Sequence, residues 1–160
     1  MTYLGIDPGI SGGIAFLFPD GNLFVYDIPT VDGEVCVDTV VGILKTHGKI
    51  EMAAIERAQA MPKQGVSSTF KYGVAYGMLR SAVTICRIPY RLVSPRVWKK
   101  RFGLDSNKEL SRAMAIRLWP GCGLFSRKMD HGRAEAALIA RYGAEVFCNE
   151  FKQGMVQNVR

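Results

Sequence analysis

Short apolar runs fill the first third of the chain, and amphipathic stretches dominate the rest. Residues 2–7 (TYLGID) are apolar and partly β-branched, and Pro8-Gly9 ends them, so they predict a strand. A second apolar run spans residues 12–18 and a third spans 22–28, with Asp20-Gly21 between them. An Asp-Gly pair between apolar runs predicts a hairpin with a type I′ turn, in which both central residues take positive φ. The opening is therefore three sequential antiparallel strands. From Val35 to Thr46 the apolar positions 37, 40, 41 and 44 repeat with helical spacing, and Gly48 is the expected stop. Ile50 to Glu56 (IEMAAIE) predicts a buried strand, and residues 57–66 a loop.

A long helix capped by Ser67 or Ser68 and reaching about Cys86 comes next, then a strand over Tyr90–Val93. Ser94-Pro95 starts a short helix through Trp98 and Phe102, as N-cap and first-turn proline. Ser106 is the expected cap of another helix through Trp119, and Pro120-Gly121 ends it. A last helix is expected from about Asp130 to Cys148, with a frayed tail from Lys152 to Arg160. The order βββαβαβαα implies an α/β domain over residues 1–150 with a tail over 151–160. Its sheet is mixed and five-stranded, three antiparallel strands followed by βαβ crossovers, with helices on both faces.

Composition and charge narrow the function. The chain has 160 residues, 48% hydrophobic and 22% charged, which excludes a disordered chain. No apolar run approaches the roughly 18–20 residues that would span a bilayer. The opening MTYLGIDPGI lacks the basic and apolar regions of a secretory leader, and Cys36, Cys86, Cys122 and Cys148 lie far apart without zinc spacing. A cytoplasmic location is expected, in a bacterium or a phage-infected cell, or an organelle matrix once a transit peptide is gone. The charge is uneven. Residues 1–56 carry two basic and eight acidic side chains, whereas residues 57–160 carry 19 basic and six acidic ones. A basic excess of that size points to a polyanionic partner, most simply nucleic acid.

Three places could carry chemistry. Asp7 ends the first strand beside Pro8-Gly9 and Ser11-Gly12-Gly13, where glycines let a phosphate or metal approach the backbone. Glu56 ends a strand that a parallel crossover would lay beside the first, so the two carboxylates would share an edge. Adjacent carboxylates repel, and a divalent cation with a preference for oxygen ligands, magnesium or manganese, resolves the repulsion. The third place is Asp130-His131-Gly132-Arg133-Ala134-Glu135. There His131 and Glu135 lie on one helical face, and Asp130 reaches the same edge only as an N-cap. Taken singly, each acid could equally be a turn cap or a surface charge.

GIDPGISGG, AAIERAQAMP, SSTFKYGVAYGMLRSA, SPRVWKKRFGL with SNKELSRAMA, and DHGRAEAALIARYG together resemble the RuvC-type Holliday junction resolvases of the ribonuclease H-like superfamily. The likeness covers residues 3 to about 143 and is nearest to the chloroplast and phage-like branch. Bacterial members end in a D-A-A-D-A pattern. Here Glu135 stands at the last aspartate and Gly132 at the other, so the resemblance implies Asp130 as the remaining acid.

The resemblance implies a Mg²⁺-dependent endodeoxyribonuclease, with Mn²⁺ as a substitute, that hydrolyses two opposed strands of a four-way DNA junction as a homodimer. Asp7, Glu56, Asp130 and Glu135 would hold two metals about 3.5–4 Å apart, leaving a 5′-phosphate and a 3′-hydroxyl. His131 would take a proton or hold a phosphate. No membrane partner and no small-molecule cofactor is expected. DNA contacts would come from Lys63, Gln64 and Ser67 in the loop after Glu56, and from Lys71, Lys99, Lys100, Arg101, Lys108 and Arg112. Phe70 and Tyr72 could stack on bases or belong to an interface. Gly73 and Gly77 suit close helix packing, across a dimer or against the sheet. Two other readings compete: a ribonuclease H-like enzyme acting on hybrids or other branched DNA, and a non-catalytic nucleic-acid-binding protein of the same fold.

Overall fold

Alternation along two central strands sets the layout. In β1 (Thr2–Asp7), Leu4 and Ile6 face one side of the sheet while Tyr3 and Gly5 face the other. In β6 (Ile50–Glu56), Ile50, Ala53 and Ile55 face the first side, and Met52 and Ala54 the second. Both strands are apolar on both faces because each face is covered by helices. The computed structural model describes the backbone of residues 1–59 and 65–157 and the side chains through Phe147 outside that gap. Lys63, Gln64 and the Cys148 side chain therefore lie outside the described residues.

The five-stranded sheet has the order β3-β2-β1-β6-β7, with β2 at Gly13–Leu17, β3 at Leu23–Asp27 and β7 at Tyr90–Val93. β1–β2 and β2–β3 pair antiparallel; β1–β6 and β6–β7 pair parallel. The expected mixed sheet is thus present. A two-stranded hairpin of β4 (Thr30–Val31) and β5 (Glu34–Val35) was not expected. Its loop, Asp32-Gly33, has φ of 53° and 78°, the double positive φ of a type I′ turn. The Asp20-Gly21 turn differs from expectation. Only Gly21 has positive φ (87°), the Gly21 N–H donates to the Phe18 carbonyl, and Phe18 pairs with Asn22. Pro19 at the first corner favours this type I turn, with Gly21 absorbing the left-handed step.

α1 (Val37–Thr46) and α2 (Val66–Ile85) cover one face, burying Val40, Leu44, Ala75, Leu79, Ala82 and Val83 against Leu4, Ile6, Phe16 and Ile55. α3 (Pro95–Arg101), α4 (Lys108–Leu118) and α5 (His131–Gln157) cover the other. Three helix limits depart from the sequence reading. α2 is preceded by Gly65 in extended conformation, so Ser67 and Ser68 lie inside its first turn. α4 is capped by Asn107, whose side chain accepts the Glu109 N–H at 3.0 Å, while the Asp105 carboxylate accepts the Asn107 N–H at 2.7 Å. α5 continues to Gln157, past the expected end near Cys148.

α5 touches the sheet backbone to backbone. A Cβ at Gly5 would overlap the Ala136 carbonyl oxygen and the Ala140 amide nitrogen. A Cβ at Gly132 would overlap the Ser11 carbonyl oxygen, and one at Gly13 would come within 2.8 Å of the Gly132 oxygen. Ala134, Ala136, Ala137 and Ala140, all fully buried, complete this low-relief surface. The glycines of GIDPGISGG and the glycine and alanines of DHGRAEAA thus bring the start of α5 against the β1–β2 turn.

Candidate metal centre and nucleic-acid interface

Asp7 and Glu56 are the residues after the paired Ile6 and Ile55 in β1 and β6. By alternation both extend the face that α5 covers, with Tyr3 and Gly5 on one strand and Met52 and Ala54 on the other. Glu135 is one turn into α5, beside the flush contacts at Gly132. All three carboxylates line one cleft of about 560 Å³. Asp7 and Glu135 are almost fully buried, and Glu56 is half-buried. Lys71, Lys99 and Lys108 line the same cleft, and the ring of Tyr72 closes over Gly9, where a Cβ would lie 3.3 Å from the ring and the φ of 128° is one that L side chains rarely adopt.

The charges are strongly coupled. Burial, and then the charges of Glu135 and Glu56, push the Asp7 carboxyl well above the ordinary aspartate value, and Lys108 and Lys99 offset only part of this. Glu56 is also raised, chiefly by burial, against the pull of a hydrogen bond from Trp98. The Tyr72 hydroxyl, raised by burial and by the Glu56 and Asp7 charges, stays protonated. Lys99 Nζ lies 2.7 Å from Glu135 Oε1 with both side chains largely buried, and so supplies positive charge inside the cleft.

Among the described residues, no three acidic, histidine or cysteine side chains converge tightly enough to hold a metal ion on their own. The donor chemistry nevertheless suits a hard divalent cation. The three carboxylates offer oxygen only; burial first, and neighbouring charge after it, favours the protonated forms of Asp7 and Glu56, and Glu135 already holds the Lys99 ammonium.

Asp130 is placed differently. It immediately precedes α5, yet its carboxylate accepts hydrogen bonds from the Arg127 N–H (2.8 Å), Nε (2.9 Å) and Nη2 (2.7 Å). Arg133 binds Asp27 of β3 through both Nε and Nη2. Burial pushes the Asp130 carboxyl up, but the Arg127 hydrogen bonds outweigh it and leave the group below its usual value. The Arg133 hydrogen bond likewise lowers Asp27. Asp130 and His131 are not among the cleft's described lining residues.

The predicted DNA contacts also divide. Lys71, Lys99 and Lys108 belong to the cleft. Lys100 lines an adjoining hollow with Arg96, and Pro95 and Lys99 are common to both. Ser67 is exposed at the start of α2. Arg112 bonds Glu109 and the Phe125 carbonyl, and Arg101 bonds Glu145, so both guanidinium groups are engaged within the fold.

Sequence reasoning missed Trp98 and Ser111. The indole Nε1 of Trp98 donates to Glu56 Oε2 at 2.7 Å, and Ser111 Oγ donates to Glu135 Oε1 at 3.0 Å. A serine on the buried stripe of α4, four residues before Ala115, was the available signal.

These shifts predict a stability maximum in mild acid. In chelator, the melting temperature should rise as pH falls from neutrality, because Asp7 and Glu56 bind protons more tightly in the folded state. It should then drop below about pH 4, as Asp27 and Asp130, held below their unfolded values, are protonated and lose their arginines. Thermal unfolding across this range tests it. A melting temperature that falls steadily from pH 7 downward would contradict the assignment.

No protein-family model matches the chain, and no curated protein matches it. Solved structures do. Thermus thermophilus RuvC superposes with a TM-score of 0.66 at 19% identity, over 92% of this chain and 97% of that one. T. thermophilus RuvC in complex with Holliday junction substrate gives 0.63 at 19%, over 91% and 95%. The chain has the RuvC fold. The yeast mitochondrial Holliday junction resolvase Ydc2 gives 0.52 at 21%, over 93% and 83%. The match to RuvC thus spans almost the whole of both chains.

Proposed function

We propose that this chain is a divalent-cation-dependent endodeoxyribonuclease that cuts opposed strands of four-way DNA junctions. One observation carries the reading: Asp7, Glu56 and Glu135, from two strand ends and a helix, share a single cleft with Lys71, Lys99 and Lys108. Carboxylates that bind a cation, beside ammonium groups that receive phosphate, are what phosphodiester hydrolysis requires. The RuvC fold and the sequence motifs favour the junction over hybrids, flaps or simple binding without cleavage.

In this reading Asp7, Glu56 and Glu135 would hold Mg²⁺ or Mn²⁺, and Asp130 would join them only on leaving Arg127. A cation held there would supply an activated water and neutralise charge on the phosphate. Lys71 and Lys108 draw the phosphate into the cleft, and Lys99 is free to turn from Glu135 to the incoming strand. Tyr72 and Gly9 form a close wall. A cleavage assay comparing a four-way junction, an RNA–DNA hybrid and a flap tests the proposal. Selective, paired, Mg²⁺-dependent incision of the junction supports it, and equal or greater cutting of the hybrid would overturn it.

Paired incision calls for two sites in fixed relation, hence a two-fold dimer. The outer face of α2 suits it. Val66 and Phe70 are 88% and 72% exposed, and a Cβ at Gly73 or Gly77 would meet nothing within 4 Å. The glycines therefore do not pack on the sheet. Gly77→Leu should fold at least as stably as a monomer, gaining on the order of 1 kcal/mol of helix propensity, while losing the dimer and paired incision. Light scattering with a two-strand cleavage assay checks this, and a dimeric Gly77→Leu would place the interface elsewhere.

A further inference from the structure

Aspartate on a strand end has little freedom, but Glu56 and Glu135 each carry one more rotatable bond, so their carboxylates need an outside hold. Each receives one from a buried, neutral donor. Trp98 is fully buried among Tyr3, Met52, Leu138 and Phe147, and its Nε1 donates to Oε2 of Glu56 at 2.7 Å. Ser111 is also fully buried, and its hydroxyl donates to Oε1 of Glu135 at 3.0 Å.

The two donors come from consecutive helices, α3 and α4, packed on the α5 side of the sheet. Each bonds one oxygen of its glutamate. An indole N–H or a hydroxyl orients a carboxylate without neutralising it, whereas the Lys99 ammonium on Glu135 competes with any cation for the same charge. Burial also makes the donors selective, because an indole N–H or hydroxyl left without an acceptor there is costly.

We infer that Trp98 and Ser111 are positioning residues that fix Glu56 and Glu135 so that their other carboxylate oxygens face a divalent cation in the cleft. The inference rests on the cation-dependent reading above and deepens it, assigning α3 and α4 the task of aiming acids carried by β6 and α5.

Calorimetric titration with Mn²⁺, without DNA, tests it on wild type, Trp98→Phe, Ser111→Ala and Ser111→Thr. Trp98→Phe keeps an aromatic ring but loses the donor, and Ser111→Thr keeps the hydroxyl. The Mn²⁺ dissociation constant should rise about ten-fold or more in Trp98→Phe and Ser111→Ala, the scale of one hydrogen bond to a charged group. Ser111→Thr should stay near wild type, and cation-free junction binding should not change in any variant. Mn²⁺ affinity within two-fold of wild type in the folded Phe and Ala variants would overturn the inference.

A second measurement needs no change at either position. The chain has two tryptophans, so Trp119→Phe leaves Trp98 as sole emitter, and its fluorescence should track Mn²⁺ binding at Glu56. Calorimetric binding with unchanged emission would also overturn the inference. A wild type that binds no Mn²⁺ would instead remove the cation-dependent reading, and this inference with it.

Discussion

Under the proposed function, Asp7→Asn and Glu56→Gln are each expected to reduce junction cleavage by at least about 10³-fold, because each would remove a charge needed to hold the cation where the phosphate must be neutralised. Both changes are nearly isosteric, so the fold should persist. Junction binding should be unchanged or tighter, since a negative charge near the DNA phosphates has gone. Asp7→Asn should also raise the melting temperature in chelator, as the buried Asp7 carboxylate is the group most burdened by Glu135 and Glu56. Single-turnover cleavage with a gel-shift titration reads out both effects. Near wild-type nicking by either variant in Mg²⁺ would show that the cleft is not the catalytic centre.

The second large effect concerns stability. Gly132→Asp, which restores the aspartate of the bacterial pattern, is expected to destabilise the protein by more than about 3 kcal/mol and to lower activity. A Cβ at 132 meets the Ser11 carbonyl oxygen and the backbone of Gly12, neither of which can rotate away. The carboxylate would add a buried charge without an assigned partner. α5 would have to lift from the β1–β2 turn, carrying Glu135 away from Asp7. Urea unfolding measures the loss, and a variant of wild-type stability would show that this contact is looser than its geometry implies. The departure at 132 thus has a physical reason: the backbone approach that seats α5 excludes any side chain there.

Much of this was legible because burial on both faces gives β1, β2 and β6 continuous apolar runs, and the parity of Asp7 and Glu56 along their strands puts them on one face. Other features depend on groups distant in sequence. The β4–β5 hairpin joins strands of two residues, too short for periodicity to register, although Asp32-Gly33 carries the same Asp-Gly turn signal as Asp20-Gly21. Asn107 rather than Ser106 caps α4, with Asp105 accepting the Asn107 N–H, a choice between adjacent cap residues that sequence alone leaves open. Trp98 enters only as part of the short helix after Ser94-Pro95, since nothing local shows that an indole 42 positions from Glu56 will meet it. Asp130 was reachable as a site acid from its place before α5. Its attachment to Arg127 depends on how the loop between α4 and α5 folds back, which spacing alone does not reveal.

The separation of the acids along the chain bears on how activity is acquired. Asp7, Glu56 and Glu135 come from β1, β6 and α5, so the cleft closes only through contacts of long sequence range, which form late and slowly in a folding chain. A partly folded molecule with the sheet and α2 in place would already present the exposed α2 face and Lys71, yet would lack Glu135. Such a molecule could meet DNA or a second copy before it could cut. In refolding, nuclease activity should therefore return with the docking of α5, after most of the strand structure has been regained.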